Sequence, residues 1–232
     1  MSFERYAIYY SPSPGSRLAE FGEQWLGRDG YGQSIDREKP YEGRELQELS
    51  RAPAHYGFHA TLKAPFRLVQ DHPRRLKDAL ELFARTQTKI TVPALKLTQI
   101  GDFLALCPGG VAGPNAELDA LAAQCVRKFD RFRAPLSEEE RTRRNPDRLS
   151  FDQQQNLERW GYPFVFDEYR FHMTLTGLLS NEERNRVLDL LNPFVEELGS
   201  EPFTLDSICI FGDPGQGKPF RLLERYRLPK QI

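Results

Sequence analysis

The sequence predicts an α+β fold of two similar lobes: a bilobal, duplicated arrangement of two antiparallel sheets flanked by helices around a central cleft. Three observations predict it. Phe58-His59-Ala60-Thr61-Leu62 and Phe171-His172-Met173-Thr174-Leu175 repeat one pattern, Phe-His-x-Thr-Leu, in the first and last thirds of the chain. Each copy lies in a β-prone segment. Each is followed by the same sequel, an amphipathic helix and then two strands, which makes the repeating unit a lobe rather than a pentapeptide. The 232 residues suffice for a substantial core. They read as one bilobal domain, residues 1–232, with a polar helical insert at about 130–162.

Arg5 to Tyr10 is aromatic and reads as the first strand, broken by Ser11-Pro12-Ser13-Pro14-Gly15. Ser16 to Leu26 places Leu18, Phe21, Trp25 and Leu26 at helical spacing. Residues 27–45, rich in glycine and charge, read as loop. Tyr56 to Ala64 is the first motif strand, closed by Pro65. Pro73 to Thr86 is an amphipathic helix with Leu76, Leu80 and Phe83 on one face. Lys89 to Leu97 and Asp102 to Cys107 read as strands joined at Gly101, and Pro108-Gly109-Gly110 ends them. Asn115 to Phe129 is helical through Leu118, Leu121, Ala122, Cys125 and Val126. Arg133 to Trp160 is polar and weakly periodic, with helix formers near 137–144 and 152–160. Tyr169 to Leu178 is the second motif strand. Ser180 and Glu183 are spaced as a capping box for a helix reaching about Leu198. Phe203 to Phe211 and Phe220 to Leu228 close the chain as strands. The glycine-rich turn between them, 212–218, lacks the phosphate-loop pattern and joins two strands rather than a strand and a helix.

Apolar residues make up 39% of the chain and charged residues 28%, a globular composition. A formal net charge of −1 argues against long duplex nucleic acid as the main partner, which needs a basic surface. A small anion needs only a local basic pocket. The three cysteines, Cys107, Cys125 and Cys209, are far apart and form no Cys-x-x-Cys pair. That disfavours a disulfide framework or structural zinc and fits a reducing cytosol. Residues 1–6 lack the apolar stretch of a signal peptide, and no apolar run approaches the ~20 residues of a membrane span. A soluble cytoplasmic protein with no membrane partner is expected, its oligomeric state unspecified.

The chain has four histidines, and two of them occupy the repeated setting. Residues two apart in a strand share a face. Each motif therefore presents a histidine and a threonine together and buries its phenylalanine and leucine. Two such faces across a cleft offer two imidazoles and two hydroxyls to one ligand, the equipment for acid–base chemistry on a phosphate ester.

Paired His-x-Thr motifs on strands of a duplicated α+β chain resemble the two-histidine phosphoesterases, which include 2′,5′ RNA ligase-like proteins and cyclic nucleotide phosphodiesterases. The resemblance covers essentially the whole chain. It is closest to the branch associated with phosphonate-utilisation genes, through residues 56–66, Phe129-Asp130-Arg131-Phe132-Arg133-Ala134-Pro135, and Trp160-Gly161-Tyr162-Pro163 leading to the second motif. It implies that His59 and His172 act as general acid and base, with either order open. It implies that Thr61 and Thr174 donate hydrogen bonds to non-bridging phosphate oxygens. No metal and no cofactor is expected, and the histidines show no ligand spacing with cysteine or carboxylate.

Further substrate-binding candidates follow from register. Lys63 extends the 59, 61, 63 face. Arg170 and Thr176 extend 170, 172, 174, 176. Tyr56 reaches the pocket only through a bend at Gly57. Tyr6 offers a ring to a base or sugar, against core packing. The insert is a lid candidate, and Arg133, flanked by apolar residues, is its preferred phosphate ligand. His55 reads as a loop residue and His72 as a helix-entry residue.

The expected function is a metal-independent phosphodiesterase of a small cyclic phosphate ester, such as a ribose cyclic phosphate of phosphonate breakdown. The partner is then a small phosphorylated sugar or nucleotide. The alternatives are an RNA-end enzyme acting on 2′,3′-cyclic phosphate or 2′,5′ linkages, and a non-catalytic binder of nucleotides or sugar phosphates.

Overall fold

Alternation along the first strand decides how the sheet divides its two faces. In the computed structural model, which describes residues 3–70 and 72–230, β1 (Arg5–Tyr10) sends Tyr6, Ile8 and Tyr10 into the main core and Ala7 and Tyr9 to the opposite face. α1 (Arg17–Leu26), capped by Ser16, packs Phe21 and Trp25 on that core. Then come α2 (Arg44–Tyr56), β2 (Ala60–Phe66), α3 (Pro73–Ala84), β3 (Ile90–Val92) and β4 (Leu95–Ile100). The second half runs β5 (Phe103–Pro108), α4 (Ala116–Phe129), α5 (Glu138–Thr142), α6 (Phe151–Trp160), β6 (Met173–Thr174), α7 (Asn181–Leu198), β7 (Phe203–Leu205), β8 (Ser207–Asp213) and β9 (Arg221–Arg227). Among the described residues, no helix is long and apolar enough to cross a membrane.

The protein is α+β, and its pairing is antiparallel throughout. One sheet has the order β4-β5-β6-β2-β1-β8-β9, and a second pairs β3 with β7. The order β1-α1-β2-α3-β3-β4 recurs as β5-α4-β6-α7-β7-β8. Each half lends its last strand to the other, since β4 lies beside β5 and β8 beside β1. The two lobe sheets thereby run together through the β2–β6 pair, the two motif strands. Pro93 divides the expected strand 89–97 into β3 and β4, which join different sheets.

Two segments interrupt the repeat at equivalent places, 27–57 between α1 and β2 and 130–172 between α4 and β6. The first is not all loop, because α2 fills its second part and runs to Tyr56. Its polar residues and the internal Pro53 disguise it in the sequence. The first motif strand accordingly starts at Ala60 rather than Tyr56. The second motif is extended, but only Met173–Thr174 is paired as strand. The capping box of Ser180 and Glu183 opens α7 as expected.

Helix α1 holds both motifs in place. Trp25 Nε1 donates to Leu175 O at 2.7 Å. Phe58 lies flat on Gly22, where a β-carbon would come 1.9 Å from Phe58 Cδ1. Gly22→Ala is therefore expected to cost about 1–3 kcal/mol through overpacking next to His59. Thermal unfolding checks this, and an unchanged midpoint would refute the close approach.

Candidate active site

Strands β2 and β6 meet with Ala60 opposite Met173. Antiparallel register then sets His59 across from Thr174 and Thr61 across from His172. Ala60 and Met173 are fully buried on the core side. The two histidines and two threonines therefore share the other face, where cross-strand neighbours stand about 5 Å apart. All four line one cavity of about 280 Å³.

Main-chain carbonyls fix both rings. His59 Nδ1–H donates to Gly57 O at 2.7 Å and His172 Nδ1–H to Arg170 O at 2.8 Å. A carbonyl only accepts, so Nδ1 carries the proton and Nε2 is left with its lone pair. His59 Nε2 lies 3.4 Å from Thr61 Oγ1.

The pair is not symmetric. His59 stacks on Tyr9 with ring centroids 3.8 Å apart. Tyr9 pairs with Thr61, and the matching partner of Thr174 is Ala105, which has no ring. His172 instead meets Phe103 at 5.8 Å. Burial pushes the His59 imidazole down to about 4; the bond to Gly57 O opposes this, while His172 and Arg28 reinforce it. Burial also lowers His172, against the bond to Arg170 O.

The two interrupting segments wall the cleft. Ala52, Pro53 and Tyr56 come from the end of α2, Arg144 and Tyr162 from the second segment, and Arg5 and Tyr9 from β1. Arg5 is held by Asp213, with Nε–Oδ2 at 2.8 Å. The Arg144 guanidinium lies over the Tyr162 ring at 4.9 Å and, among the described residues, forms no ion pair. A neighbouring cavity of about 290 Å³ shares Thr61, Tyr162 and His172 and runs beneath Phe103 and Tyr169.

The register candidates fare differently. Tyr56 reaches the cleft, its ring centroid 6.2 Å from His59. A helix end and Gly57 at φ 83° bring it there, not a strand bulge. His55 is likewise in α2 rather than in a loop. Thr176 lines the cavity, but its hydroxyl donates to Gly177 O at 2.9 Å and accepts from Leu104 N at 3.0 Å. Lys63 is turned away. A bulge sets Tyr9 against Thr61 but Ile8 against Lys63, one step on β1 for two on β2. Lys63 Nζ therefore meets Asp130 Oδ1 at 3.2 Å and Val126 O at 3.3 Å on the α4 side.

Arg170 also turns away, donating to Asp167 O at 2.7 Å, and only its carbonyl serves His172. Arg133 is not over the cleft; Asp130 Oδ1 holds its Nε at 2.8 Å. The insert delivers Arg144 instead. Tyr6 is a core residue at 2% exposure, on the face opposite Tyr9. Sequence reading passed over Arg5, Tyr9, Arg144 and Tyr162. Alternation along β1 carries the signal for Arg5 and Tyr9, since 5, 7 and 9 share the face that pairs with Thr61. Nothing in local spacing marks Arg144 or Tyr162.

The family described as "Protein of unknown function (DUF1045)" matches residues 61–221. Two relatives bear the name ribose 1,5-bisphosphate phosphokinase PhnN. That of Janthinobacterium sp. (strain Marseille) is 35% identical over 98% of this chain and 51% of its own length. That of Laribacter hongkongensis (strain HLHK9) is 31% identical over 94% and 50%. The chain thus spans about half the length of the curated relatives it matches. Among solved structures, E. coli LigT complexed with NADP+ aligns with TM-score 0.44 and 15% identity over 100% of both chains. LigT complexed with 3′-AMP aligns with TM-score 0.42 and 12% identity over 99% of this chain and 100% of its own. The paired motif lies on adjoining strands, with both histidines on one cleft.

Proposed function

The chain belongs to the DUF1045 family, and we propose that it is a metal-independent phosphodiesterase that opens a small cyclic phosphate ester by histidine–histidine acid–base catalysis. The observation that carries this reading is the β2–β6 register, which puts both imidazoles and both threonine hydroxyls on one cavity. With Nδ1 protons committed to carbonyls, each Nε2 is free to take or give a proton. His59, whose imidazole burial pushes down to about 4, stays neutral and suits the base that activates water. His172 then protonates the departing oxygen. Thr61 and Thr174 donate to the non-bridging oxygens, where charge grows in the transition state.

A cavity of about 280 Å³ suits a small substrate. Arg144 and Arg5 favour an anionic one. The PhnN name of the two relatives refers to a phosphorylated ribose, which supports a ribose cyclic phosphate as substrate here. We place the activity in the cytoplasm, where the three buried thiols stay reduced.

The test is a screen, with EDTA present, of ribose cyclic phosphates, 2′,3′-cyclic nucleotides and RNA bearing a 2′,3′-cyclic end. Turnover of a small cyclic phosphate is expected, unaffected by EDTA. Turnover of RNA ends alone would replace the substrate. Tight binding of all three without turnover would make the protein a binder, and full loss of activity in EDTA would overturn the metal-free mechanism.

A further inference from the structure

A buried arginine, Arg28, and a half-buried one, Arg133, sit in matching places in the two halves, just after α1 and just after α4, and neither touches the cavity of the histidine pair. Arg28 is 7% exposed. Its Nη1 donates to Ala54 O at 2.9 Å and its Nη2 to Phe220 O at 2.6 Å. Ala54 lies in the last turn of α2, so Arg28 satisfies a carbonyl that the helix end leaves open. Gly57 follows, and a β-carbon there would stand 3.7 Å from Arg28 Cζ. Arg133 repeats the device. Its Nη2 donates to Arg159 O at 2.9 Å in the last turn of α6. Gly161 follows, at φ 77°, and a β-carbon there would lie 2.9 Å from Arg133 Cδ.

The residue beside each of these glycines is a cleft tyrosine, Tyr56 before Gly57 and Tyr162 after Gly161. Arg133 is further tied to the motif strand. Asp130 accepts from Arg133 Nε at 2.8 Å and from Lys63 Nζ at 3.2 Å, and Lys63 is 4% exposed. Lys63, Arg133, Gly161 and Tyr162 enclose a space of only about 10 Å³, too small for more than one water. An unbroken packed route therefore runs from the bulge after Thr61 through Lys63, Asp130 and Arg133 to Tyr162.

We propose that Arg28 and Arg133 are positioning residues, one in each half, that clamp a helix end so that its tyrosine closes over the histidine pair. Lys63 and Asp130 anchor the second clamp to the motif strand. The phosphate itself meets neither arginine. This rests on the cleft being the phosphodiesterase site, so the test includes a readout that does not depend on turnover.

Arg133→Met and, as a milder change, Arg133→Lys are compared with Tyr162→Ala and with the Arg133→Met/Tyr162→Ala double variant. KM for whichever cyclic phosphate is turned over is expected to rise about 10- to 100-fold in Arg133→Met, with kcat moved much less, as for loss of a charge-assisted bond that acts through position. Because Arg133 works through Tyr162, its replacement adds little in the Tyr162→Ala background. Arg133→Lys keeps the Asp130 pair and recovers part of the loss. Arg28→Lys with Tyr56→Ala makes the equivalent cycle. Amide hydrogen exchange supplies the readout without substrate: in Arg133→Met, residues 160–165 lose protection while β1 and β8 keep theirs. Additive losses in the double variant, or unchanged protection at 160–165, would overturn the clamp even if the chain is active. A wild type that turns over nothing, together with the local loss of protection in Arg133→Met, would overturn the phosphodiesterase reading and leave the clamp standing.

Discussion

Replacing His59 or His172 by alanine is expected to lower kcat by about 10²- to 10⁴-fold, the range for loss of one general acid or base. The double variant should fall little below the worse single variant, because the two groups serve one proton-transfer sequence and do not act additively. The expectation follows from geometry. His59 and His172 lie diagonally across the β2–β6 pair and each has its Nδ1 proton engaged by a carbonyl two residues back. His72, at the N-cap of α3, is the control histidine, and its replacement leaves kcat unchanged. Steady-state rates on the cyclic phosphate found by the screen measure this, with unfolding midpoints to show that each variant is folded. Wild-type rates in both single variants would remove the histidines from the chemistry. A loss confined to one would mean that water or substrate supplies the other proton transfer.

The motif was legible because it obeys a local rule that tertiary structure preserved. Period-two alternation put His59 and Thr61 on one side and Phe58 and Leu62 on the other, and the same holds for His172 and Thr174. The rule fails one step later. The β2 bulge inserts a residue between Thr61 and Lys63, which flips Lys63 to the α4 side. No composition signal announces a bulge inside Thr-Leu-Lys-Ala. Arg133 failed for a different reason. The apolar flanks pack it against Asp130 rather than aim it at a ligand, and the sequence does not distinguish a held arginine from a presented one. Helix α2 was hidden by Pro53 and a polar surface. Arg144 and Tyr162 enter the cleft only because α5 and α6 fold the insert back over it, a long-range event that no window of residues encodes. The lobe duplication was visible, but the exchange of β4 and β8 between lobes was not, since strand order depends on which edge each strand finds.

Activity and stability should respond to pH differently, and both responses trace to the burial of the same rings. The folded chain holds His59 at about 4 against an ordinary value of 6.5, so between those values the unfolded chain binds more protons. Stability therefore rises with pH across that window, is fully present above about 6.5, and is lost as pH falls toward 4. A shift of that size corresponds to about 3 kcal/mol at most. His172, lowered in the same direction, adds to the slope. Unfolding midpoints between pH 4 and 7 should thus climb in the wild type and climb less in His59→Gln; equal slopes would show that His59 is not held neutral.

Catalysis needs the opposite of what stability needs at one of the two rings. The base must be neutral and the acid protonated, so kcat/KM for the free enzyme should peak on the acidic side of 6.5, because burial lowers both imidazoles. A bound phosphate anion favours the charged imidazole, so the kcat profile should lie at higher pH than the kcat/KM profile. Coincident profiles would mean that the substrate's charge does not reach the histidines. That outcome would also argue against a phosphate seated between them, whereas the displaced profile ties the proton inventory of the cleft to the anion it is shaped to receive.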